Sequence, residues 1–417
     1  MLYTADGFSH ARGPHRTRNR APAGAYQEGT LAMLKSEKRI LTTHVGSLPR
    51  NPKLTDLLLR QERGEAIDEK LLDREAETAV AHVVERQLAA GIDIGNDGEQ
   101  PRVGFQTYVP QRMKGFGGES SRPTPWDMRE FPQYVEVMRR RGMLGGAKVF
   151  NAPQAIGKLS YDDLGAVRRE CDMFDKSAAA KFPERFMTAA APGIIATTML
   201  NSGYFDSHEH YVMAVADEIR KEYEYIHSRG YILQLDAPDL AMERTFLYQD
   251  KSVAEFVKIV ELHIAAVNRA LVNIPPDRVR LHVCWGNYDG PHMHDVPAEA
   301  ILPAIYQARV GALALEGANP AHAHEYKVLG KLRPPDRMAI IPGVIDSTSC
   351  FVEHPEVVAD RICRVAEAVG DPKRVIAGVD CGFGTFAAWE MVPEDIVWAK
   401  LGALRKGADL ATSRLWK

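Results

Sequence analysis

The chain has 417 residues, of which 45% are hydrophobic and 8% aromatic, and its formal net charge is −3. This size accommodates one large barrel with insertions or two domains, and the nearly balanced charge gives no reason to expect a nucleic-acid partner. No stretch approaches the roughly 20 apolar residues that a membrane span needs. The five cysteines are too scattered for a disulfide framework, which favours a reducing, cytoplasmic setting and small-molecule chemistry.

The first part of the chain, residues 1–38, is predicted to be an N-terminal extension or arm. It is rich in Arg, Gly, Pro and Ala and lacks the apolar core of a secretory signal. Because Met33 closely precedes the run RILTTHVGS, a second hypothesis is that Met33 is the natural start. Residues 39–417 are predicted to form a single domain.

Short apolar runs alternate with longer amphipathic stretches from about residue 39 onward. Repeated strand and helix units of this kind are typical of a parallel sheet. Eight such runs predict a closed (β/α)8 TIM barrel: RILTTHVGS, GIDIGNDG, FMTAAAPG, YILQLDAP, VRLHVCWG, ALALEGAN, MAIIPGVID and VIAGVDCG. Helices are predicted between them at about 69–90, 208–228, 253–270, 298–307, 355–369 and 393–404.

The segment 101–161 interrupts this alternation after the second strand. It is rich in Gly, Pro, Arg and aromatic residues. Lids and substrate loops of barrels occur in such positions, so it is predicted to be an insertion over the barrel mouth. A plain surface excursion is the alternative.

Four residues that bind soft or borderline metals stand at the C-terminal ends of later strands. Residues two apart on a strand point the same way, and the strand ends of a barrel converge on one face. One His, two Cys and one Glu make a tetrahedral zinc set, and its thiolates suit the metal to carry another thiolate. The alternative is an ordinary buried His beside a buried Cys. The four residues are His282 and Cys284 in RLHVCWGN, Glu316 in LALEGANP and Cys381 in GVDCGFGT.

Further polar residues end the same strands, where the functional residues of barrels are usually placed. Asp346 is interpreted as a partner of a metal ligand or as a proton handler. His44 is a candidate substrate-binding residue that either faces the pocket or packs in the core. Two HxH pairs, at 292 and 294 and at 322 and 324, are expected to be solvated surface histidines. The other polar strand ends are Ser47, Asp97, Glu99, Asp236 and Asp380.

Taken in chain order, these motifs resemble the catalytic barrel of cobalamin-independent methionine synthase. The resemblance covers roughly residues 39–405 and is carried by TTHVGSLPR, DGE, QLDAP, HVC, LALEG, PGVID and DCG. It implies that zinc is held by the His and Cys of HVC, by Glu316 and by Cys381. It also implies that Ser47, Glu99 and Asp236 bind the amino-acid part of homocysteine.

One position departs from the family. The family places a His two residues after the Asp of the PGVxD segment, where it is thought to help protonate the departing pterin nitrogen, and this chain has Thr348 there. A threonine cannot act as a general acid at neutral pH. Asp346 and Thr348 are therefore the candidate catalytic pair, and the methyl donor, methylfolate or methylcorrinoid, stays open.

The resemblance predicts zinc-dependent alkyl transfer to a small thiol, with homocysteine methylation as the leading case. One alternative is an epoxyalkane to coenzyme M transferase, for which Arg50, Arg102 or Arg112 would supply a cation to the sulfonate. Another is a metal-free lyase like uroporphyrinogen decarboxylase, and a third is a non-catalytic barrel that binds thiols or metals. The expected partners are the thiol and an alkyl donor, without nucleic acid or membrane, and a homo-oligomer is compatible.

Overall fold

The computed structural model describes residues 32–140, 151–178 and 181–416. Two of the strands in this part of the chain form a separate antiparallel pair, and the other eight are parallel. The ten strands are β1 (Leu41–Thr42), β2 (Ile94–Gly95), β3 (Lys114–Gly117), β4 (Gln154–Ser160), β5 (Glu184–Ala190), β6 (Ile232–Asp236), β7 (Val279–Val283), β8 (Ala312–Leu315), β9 (Ala339–Pro342) and β10 (Ile376–Ala377).

The parallel strands close into a barrel. Six of them pair in the order β2-β5-β6-β7-β8-β9, and β1 pairs with β10. Isolated bridges from Thr43 to Ile94 and from Ile340 to Val375 join the two groups at both edges. The predicted (β/α)8 barrel, with an insertion after its second strand, is therefore confirmed. The antiparallel pair of β3 and β4 belongs to that insertion.

Helices follow the strands on the outside of the barrel. Among the described residues, no helix combines the length and apolarity that crossing a membrane requires. The helices are α1 (Pro52–Glu62), α2 (Glu69–Ala89), α3 (Val109–Arg112), α4 (Trp126–Glu130), α5 (Pro132–Arg140), α6 (Gly165–Ala178), α7 (Pro192–Thr198), α8 (His208–Ser228), α9 (Val253–Ala270), α10 (Ala298–Ile305), α11 (Tyr326–Lys331), α12 (Pro355–Val369) and α13 (Glu394–Leu415). Short 3-10 turns occur at Pro238–Leu240, Met242–Arg244, Pro276–Arg278 and Pro372–Arg374.

The sequence marks the helix ends with capping side chains. Asp68 and Ser207 accept hydrogen bonds from backbone N–H groups in the first turns of α2 and α8. Ser252 and Glu255 form a capping box at the start of α9. These signals explain why α8 and α9 have the predicted bounds. The last helix, α13, runs eleven residues past the predicted end at 404, because its buried stripe continues and Gly407 allows close packing against α12.

Among the described residues, the hydrophobic core has three parts. A large layer lies between the barrel wall and the helices, and a smaller cluster, which includes Leu41, Phe186 and Ile341, fills the barrel. A third cluster lies between α1 and α2. Met33 belongs to the inner cluster and its backbone N–H donates to Asp277 at 3.1 Å. Part of the predicted arm, from about Met33 to residue 38, thus packs against the barrel, and residues 1–31 lie outside the described residues.

A buried network of charges anchors the insertion to the barrel. Arg102 and Arg112 both pair with Glu170 of α6, and Arg112 also reaches Glu222 of α8 at 3.2 Å. Tyr108 donates to the same Glu222 at 2.6 Å. The two arginines hold the pKa of Glu170 down at about 2 against the effect of burial, which alone would raise it. The insertion is therefore fixed at its base.

Replacing Glu170 with Gln is expected to lower the free energy of unfolding by about 3–5 kcal/mol, because two buried guanidinium groups lose their carboxylate. Urea denaturation measures this loss. The control is Glu75→Gln, which breaks an exposed pair with Lys53, whose side chain is 60% exposed, and should cost less than about 1 kcal/mol. Equal losses in the two variants would contradict the structural role of the network.

Candidate metal centre and substrate cavity

Three of the four predicted metal ligands meet at the mouth of the barrel. His282 lies in β7, Cys284 directly follows that strand, and Cys381 follows β10. All three are buried, and one ligand atom of each lies within 4.8 Å of the others. The alternation of side chains along a strand brings His282 and Cys284 to the same side, as their spacing predicts.

The distance between the two sulfur atoms fits a shared metal ion. Sγ of Cys284 and Sγ of Cys381 are 4.0 Å apart, and both cysteines are free. Two thiolates on one tetrahedral zinc, each about 2.3 Å from the metal, stand about 3.8 Å apart. With an imidazole as the third group, this is a donor set of the kind that structural and catalytic zinc sites use.

The environment prepares one thiol for ionisation. The thiol of Cys381 donates to the sulfur of Cys284, and this bond and His282 lower the pKa of Cys284 to about 7, against the opposing effect of burial. The same bond and burial raise the pKa of Cys381 above its ordinary value. Burial alone would lower the pKa of His282, but Asp236 and Cys284 raise it. Negative charge at Cys284 and positive charge at His282 therefore favour each other.

The fourth predicted ligand, Glu316, lies beside this cluster and outside its 4.8 Å limit. Its Oε1 accepts the backbone N–H of Trp285 at 3.0 Å, and its Oε2 accepts from Asn319 Nδ2 at 2.8 Å. Burial and the neighbouring Cys284 raise its pKa well above the ordinary value. Glu316 is thus held next to the residue that follows Cys284.

The predicted homocysteine residues share one cavity with the thiols. The cavity is lined by Ser47, Glu99, Asp236 and the three clustered ligands. Oδ1 of Asp236 lies 3.1 Å from Nδ1 of His282. Oε2 of Glu99 is buried and has no hydrogen-bond partner among the described residues. Burial and the nearby Asp236 raise the pKa of Glu99 to about 7.

Two glycines permit this close arrangement. Gly46 has a φ of +147°, and a Cβ there would meet Oε1 of Glu99 at 2.7 Å. A Cβ on Gly382 would overlap the hydroxyl of Ser47. The glycine of the GS motif therefore lets Glu99 approach the loop of Ser47, and the glycine of the DCG motif lets Ser47 approach the loop of Cys381.

The remaining predicted residues lie elsewhere. His44 is packed against Gln87, with Nε2 2.8 Å from Oε1, and is not among the residues that line the cavity. Of the two interpretations left open for His44, the structure has the packed one, and burial lowers its pKa to about 3. Asp346 accepts the backbone N–H and the hydroxyl of Thr348, each at 2.8 Å. These two residues line a second cavity, which is also lined by Glu316 and Cys381.

The arginines proposed for an anionic thiol are engaged elsewhere. Arg102 and Arg112 belong to the buried network, and Arg50 donates to backbone carbonyls of Gly384 and Glu99. The arginine that lines the cavity is Arg122, paired with Glu243. Arg122 belongs to the insertion. The predicted position of the insertion over the barrel mouth was the sequence signal that could have pointed to this residue. The insertion also contributes Phe105, Gln106, Met128 and Met138 to the cavity wall.

Comparison with known proteins gives a consistent result along the chain. No family model matches it. The methionine synthase of Thermococcus kodakarensis is 26% identical over 377 residues, which is 90% of this chain and 94% of that protein. The methionine synthase of Sulfolobus acidocaldarius is 24% identical over 382 residues, covering 90% and 93%. This chain is therefore similar to methionine synthases over nine-tenths of its length.

A solved structure agrees with the fold of this chain. The B12-independent methionine synthase from Shewanella sp. W3-18-1, in complex with selenomethionine, superposes with a TM-score of 0.68 at 19% identity. The match covers 90% of this chain and 99% of that one. Together with the archaeal relatives, it confirms the resemblance to the cobalamin-independent family. Because nearly the whole of each relative is covered, these relatives have about the length of this chain.

The expectation for the HxH pairs was wrong at two of four positions. His322 is buried and stacks on Trp285 at 4.1 Å, and His292 is nearly buried. Both rings contact one oxygen of Asp295, at 2.7 Å from Nδ1 of His292 and 3.0 Å from Nε2 of His322. Nε2 of His292 also faces the backbone carbonyl of Tyr288 at 3.1 Å. Spacing of two residues could not reveal that separate loops bring these rings together.

The hydrogen bonds of His292 favour its imidazolium form. Both of its ring nitrogens face acceptors, and an imidazolium can donate to both. Burial alone would lower its pKa, but the hydrogen bond and charge of Asp295 raise it, with Asp127 adding to the effect. The same contacts lower the pKa of Asp295 against burial. We therefore interpret this His2Asp cluster as an ion-pair network, although its residue types also suit a metal.

The contribution of His292 to stability should depend on pH. A raised pKa means that the contribution is complete below the ordinary value of about 6.5 and is lost as pH rises through the folded value. His292→Gln should cost roughly 1–3 kcal/mol at pH 6 and clearly less at pH 9, by urea denaturation. His324→Gln is the control, because that side chain is 66% exposed. A cost that does not change with pH would contradict the imidazolium.

Proposed function

We propose that this chain is a zinc-dependent methyltransferase that converts homocysteine to methionine. The observation that carries the proposal is a single cavity that contains the paired thiols and imidazole of Cys284, Cys381 and His282 together with Glu99 and Asp236. The archaeal relatives named methionine synthase support it over nine-tenths of the chain. Glu316 is proposed as the fourth ligand, because it lies beside Cys284 and carries the remaining metal-binding carboxylate at this strand end.

The acceptor side follows from the polar groups of the cavity. A free thiol has a pKa of about 8.5, and zinc, when bound, lowers the pKa of a coordinated thiol so that thiolate is available at neutral pH. Glu99 and Asp236 are the carboxylates that would pair with the ammonium of an amino-acid substrate. Ser47, close to Gly382, would hold the same end of the substrate. The acceptor loses its thiol proton and gains the methyl group.

The side chains indicate the methyl donor less specifically than they indicate the thiol acceptor. Departure of a pterin nitrogen requires a proton, and the hydroxyl of Thr348 already donates to Asp346. A threonine is too weak an acid for that task. We propose that Asp346 and Thr348 shape the donor side, with methylfolate and methylcorrinoid both retained as donors.

The rival functions find less support. A coenzyme M thiol needs cations for its sulfonate, and Arg50, Arg102 and Arg112 are engaged in other contacts. A porphyrinogen decarboxylase needs several cations for many carboxylates, whereas the arginine that lines the cavity, Arg122, is paired with Glu243 and lies among Phe and Met side chains. A purely thiol-binding barrel would have no use for the second cavity beside Cys381.

Purified protein is expected to contain about one zinc per chain, and Cys381→Ser should weaken zinc binding by more than about 100-fold because a direct ligand is lost. Elemental analysis and competition with a chromophoric chelator measure this. Cys363→Ser is the matched control, since Cys363 lies on α12 and outside the cluster. Fully folded protein that takes up no zinc would falsify the proposed metal role.

Glu99→Gln is expected to weaken methionine binding about 10- to 100-fold, because a charged hydrogen bond to the ammonium is lost. Methionine is the better probe, since it has the amino-acid end of the substrate without a titrating thiol. In the wild type, calorimetric affinity should rise from pH 6 to pH 8 as Glu99, with a pKa of about 7, ionises. The variant should show no such rise.

The matched control for this experiment is Asp97→Asn in the same motif. Burial raises the pKa of Asp97 to about 6, but the residue does not line the cavity. Its Oδ1 accepts the backbone N–H of Glu99 at 3.0 Å, a bond that Asn retains. If Asp97→Asn weakened methionine binding as much as Glu99→Gln, the direct role of Glu99 would be rejected.

A further inference from the structure

The carboxylate of Asp380, next to Cys381, binds the loop that follows β8. Its Oδ1 accepts the backbone N–H groups of Gly317 and Ala318 at 2.9 and 2.8 Å. Its Oδ2 accepts the backbone N–H of Asn319 at 2.7 Å and the Nδ2 of the same residue at 3.2 Å. Four donors from three consecutive residues thus converge on one side chain that is 2% exposed.

The same loop begins with Glu316. Asn319 divides its side-chain amide between Asp380 and Oε2 of Glu316, which lies 2.8 Å away. The other oxygen of Glu316 is held by the N–H of Trp285, the residue after Cys284. Glu316 is therefore connected to the loops of both cysteines, and its hydrogen-bonded link to the Cys381 side runs through Asn319 to Asp380.

A glycine leaves the space that the Asp380 carboxylate occupies. Gly343, at the end of β9, lies so close that a Cβ there would overlap Oδ1 of Asp380. The backbone carbonyl of Asp380 also lies 3.3 Å from Nε2 of His282. Asp380 thus contacts β7 and the loops that follow β8 and β9, and the first two of these carry the candidate ligands His282 and Glu316.

We propose that Asp380 is a positioning residue that sets Glu316 in place relative to Cys381 and so completes the metal centre. This inference rests on the metal role proposed above. Asp380 does not itself ligate, because the four donors on its oxygens occupy them. It acts through the loop: it fixes the path of residues 317–319, and Asn319 then holds the Glu316 carboxylate. Partners of this kind typically affect metal affinity by 10- to 100-fold.

Three variants disturb this arrangement in different ways. Asp380→Asn replaces one acceptor oxygen with a donor, which then faces a donor of Asn319. Gly343→Ala leaves all polar atoms unchanged and displaces the carboxylate by overlap. Asn319→Ala keeps the backbone donors and removes only the link to Glu316. The control is Asp371→Asn, because Asp371 caps a short turn at the opposite end of β10.

The measurements are zinc affinity, by competition with a chromophoric chelator, and the visible spectrum of the cobalt(II) form. We expect Asp380→Asn and Gly343→Ala to bind zinc 10- to 100-fold more weakly and to change the cobalt d–d bands, with a smaller loss for Asn319→Ala. The control should keep both wild-type values. A purely structural role would lower the thermal midpoint and leave affinity and spectrum unchanged in every folded variant, which would overturn the inference.

If Asp380→Asn does not fold, Gly343→Ala and Asn319→Ala decide the question by the same two readouts. Homocysteine turnover is measured on the same samples. Wild-type protein that holds zinc but turns over no homocysteine would reject the proposed reaction, while the affinities of the variants would still decide the role of Asp380. Wild-type protein without zinc affinity would overturn both.

Discussion

Ionisable groups that are buried together at one end of the barrel are the constraint on which this structure depends. Glu99, Asp236, Glu316, Asp380 and the two clustered thiols are all buried there. Burial raises the pKa of Glu99 to about 7 and that of Asp380 to about 6, because each charge lacks water and lies near others of the same sign. A divalent cation is the physical counterpart that lets such groups ionise side by side.

A chain of hydrogen bonds connects the barrel interior to this site. Arg280, buried inside the barrel, donates to Oε1 of Gln234 at 2.7 Å and to Oγ1 of Thr43 at 2.9 Å. Gln234 in turn donates to Asp236 at 2.7 Å, and Asp236 contacts His282. Two neighbouring strands therefore contribute inward residues in steps of two, which is why the QLD and RLHVC motifs have their spacing. The rigid interior orients the imidazole before any ligand arrives.

The sequence predicts the strands and the meeting of three candidate ligands, because both depend on local rules. Alternation and apolar runs identify the eight strands, and strand ends in a barrel must converge, so His282, Cys284 and Cys381 are brought together as expected. His44 shows the limit of the rule. It lies only two residues after β1, yet its ring packs on Gln87 of a helix, a contact that no period in the sequence reveals.

Contacts between distant loops were the part that sequence could not provide. The cluster of His292, Asp295 and His322 joins residues up to thirty positions apart, and Arg122 reaches the cavity only because the insertion folds back over the mouth. The Asp380 carboxylate is the same kind of case: its position before Cys381 is visible in the sequence, but its four donors from another strand's loop are not. Which distant loops come into contact is decided by the whole fold and not by the local sequence.

The residues shared by the two cavities lie between the proposed acceptor side and the proposed donor side. Asn287 donates to the carbonyl of Gly382 at 2.7 Å and to Thr385 at 2.6 Å, while Ser347 donates to its oxygen at 3.0 Å. One amide thus joins loops after β7, β9 and β10, and both cavities share it together with Cys381. On the proposed acceptor side, Glu99 and Asp236 are the carboxylates that would bind an ammonium. On the proposed donor side, Thr348 would supply no acid, so protonation of the leaving group is the property by which candidate donors would be distinguished.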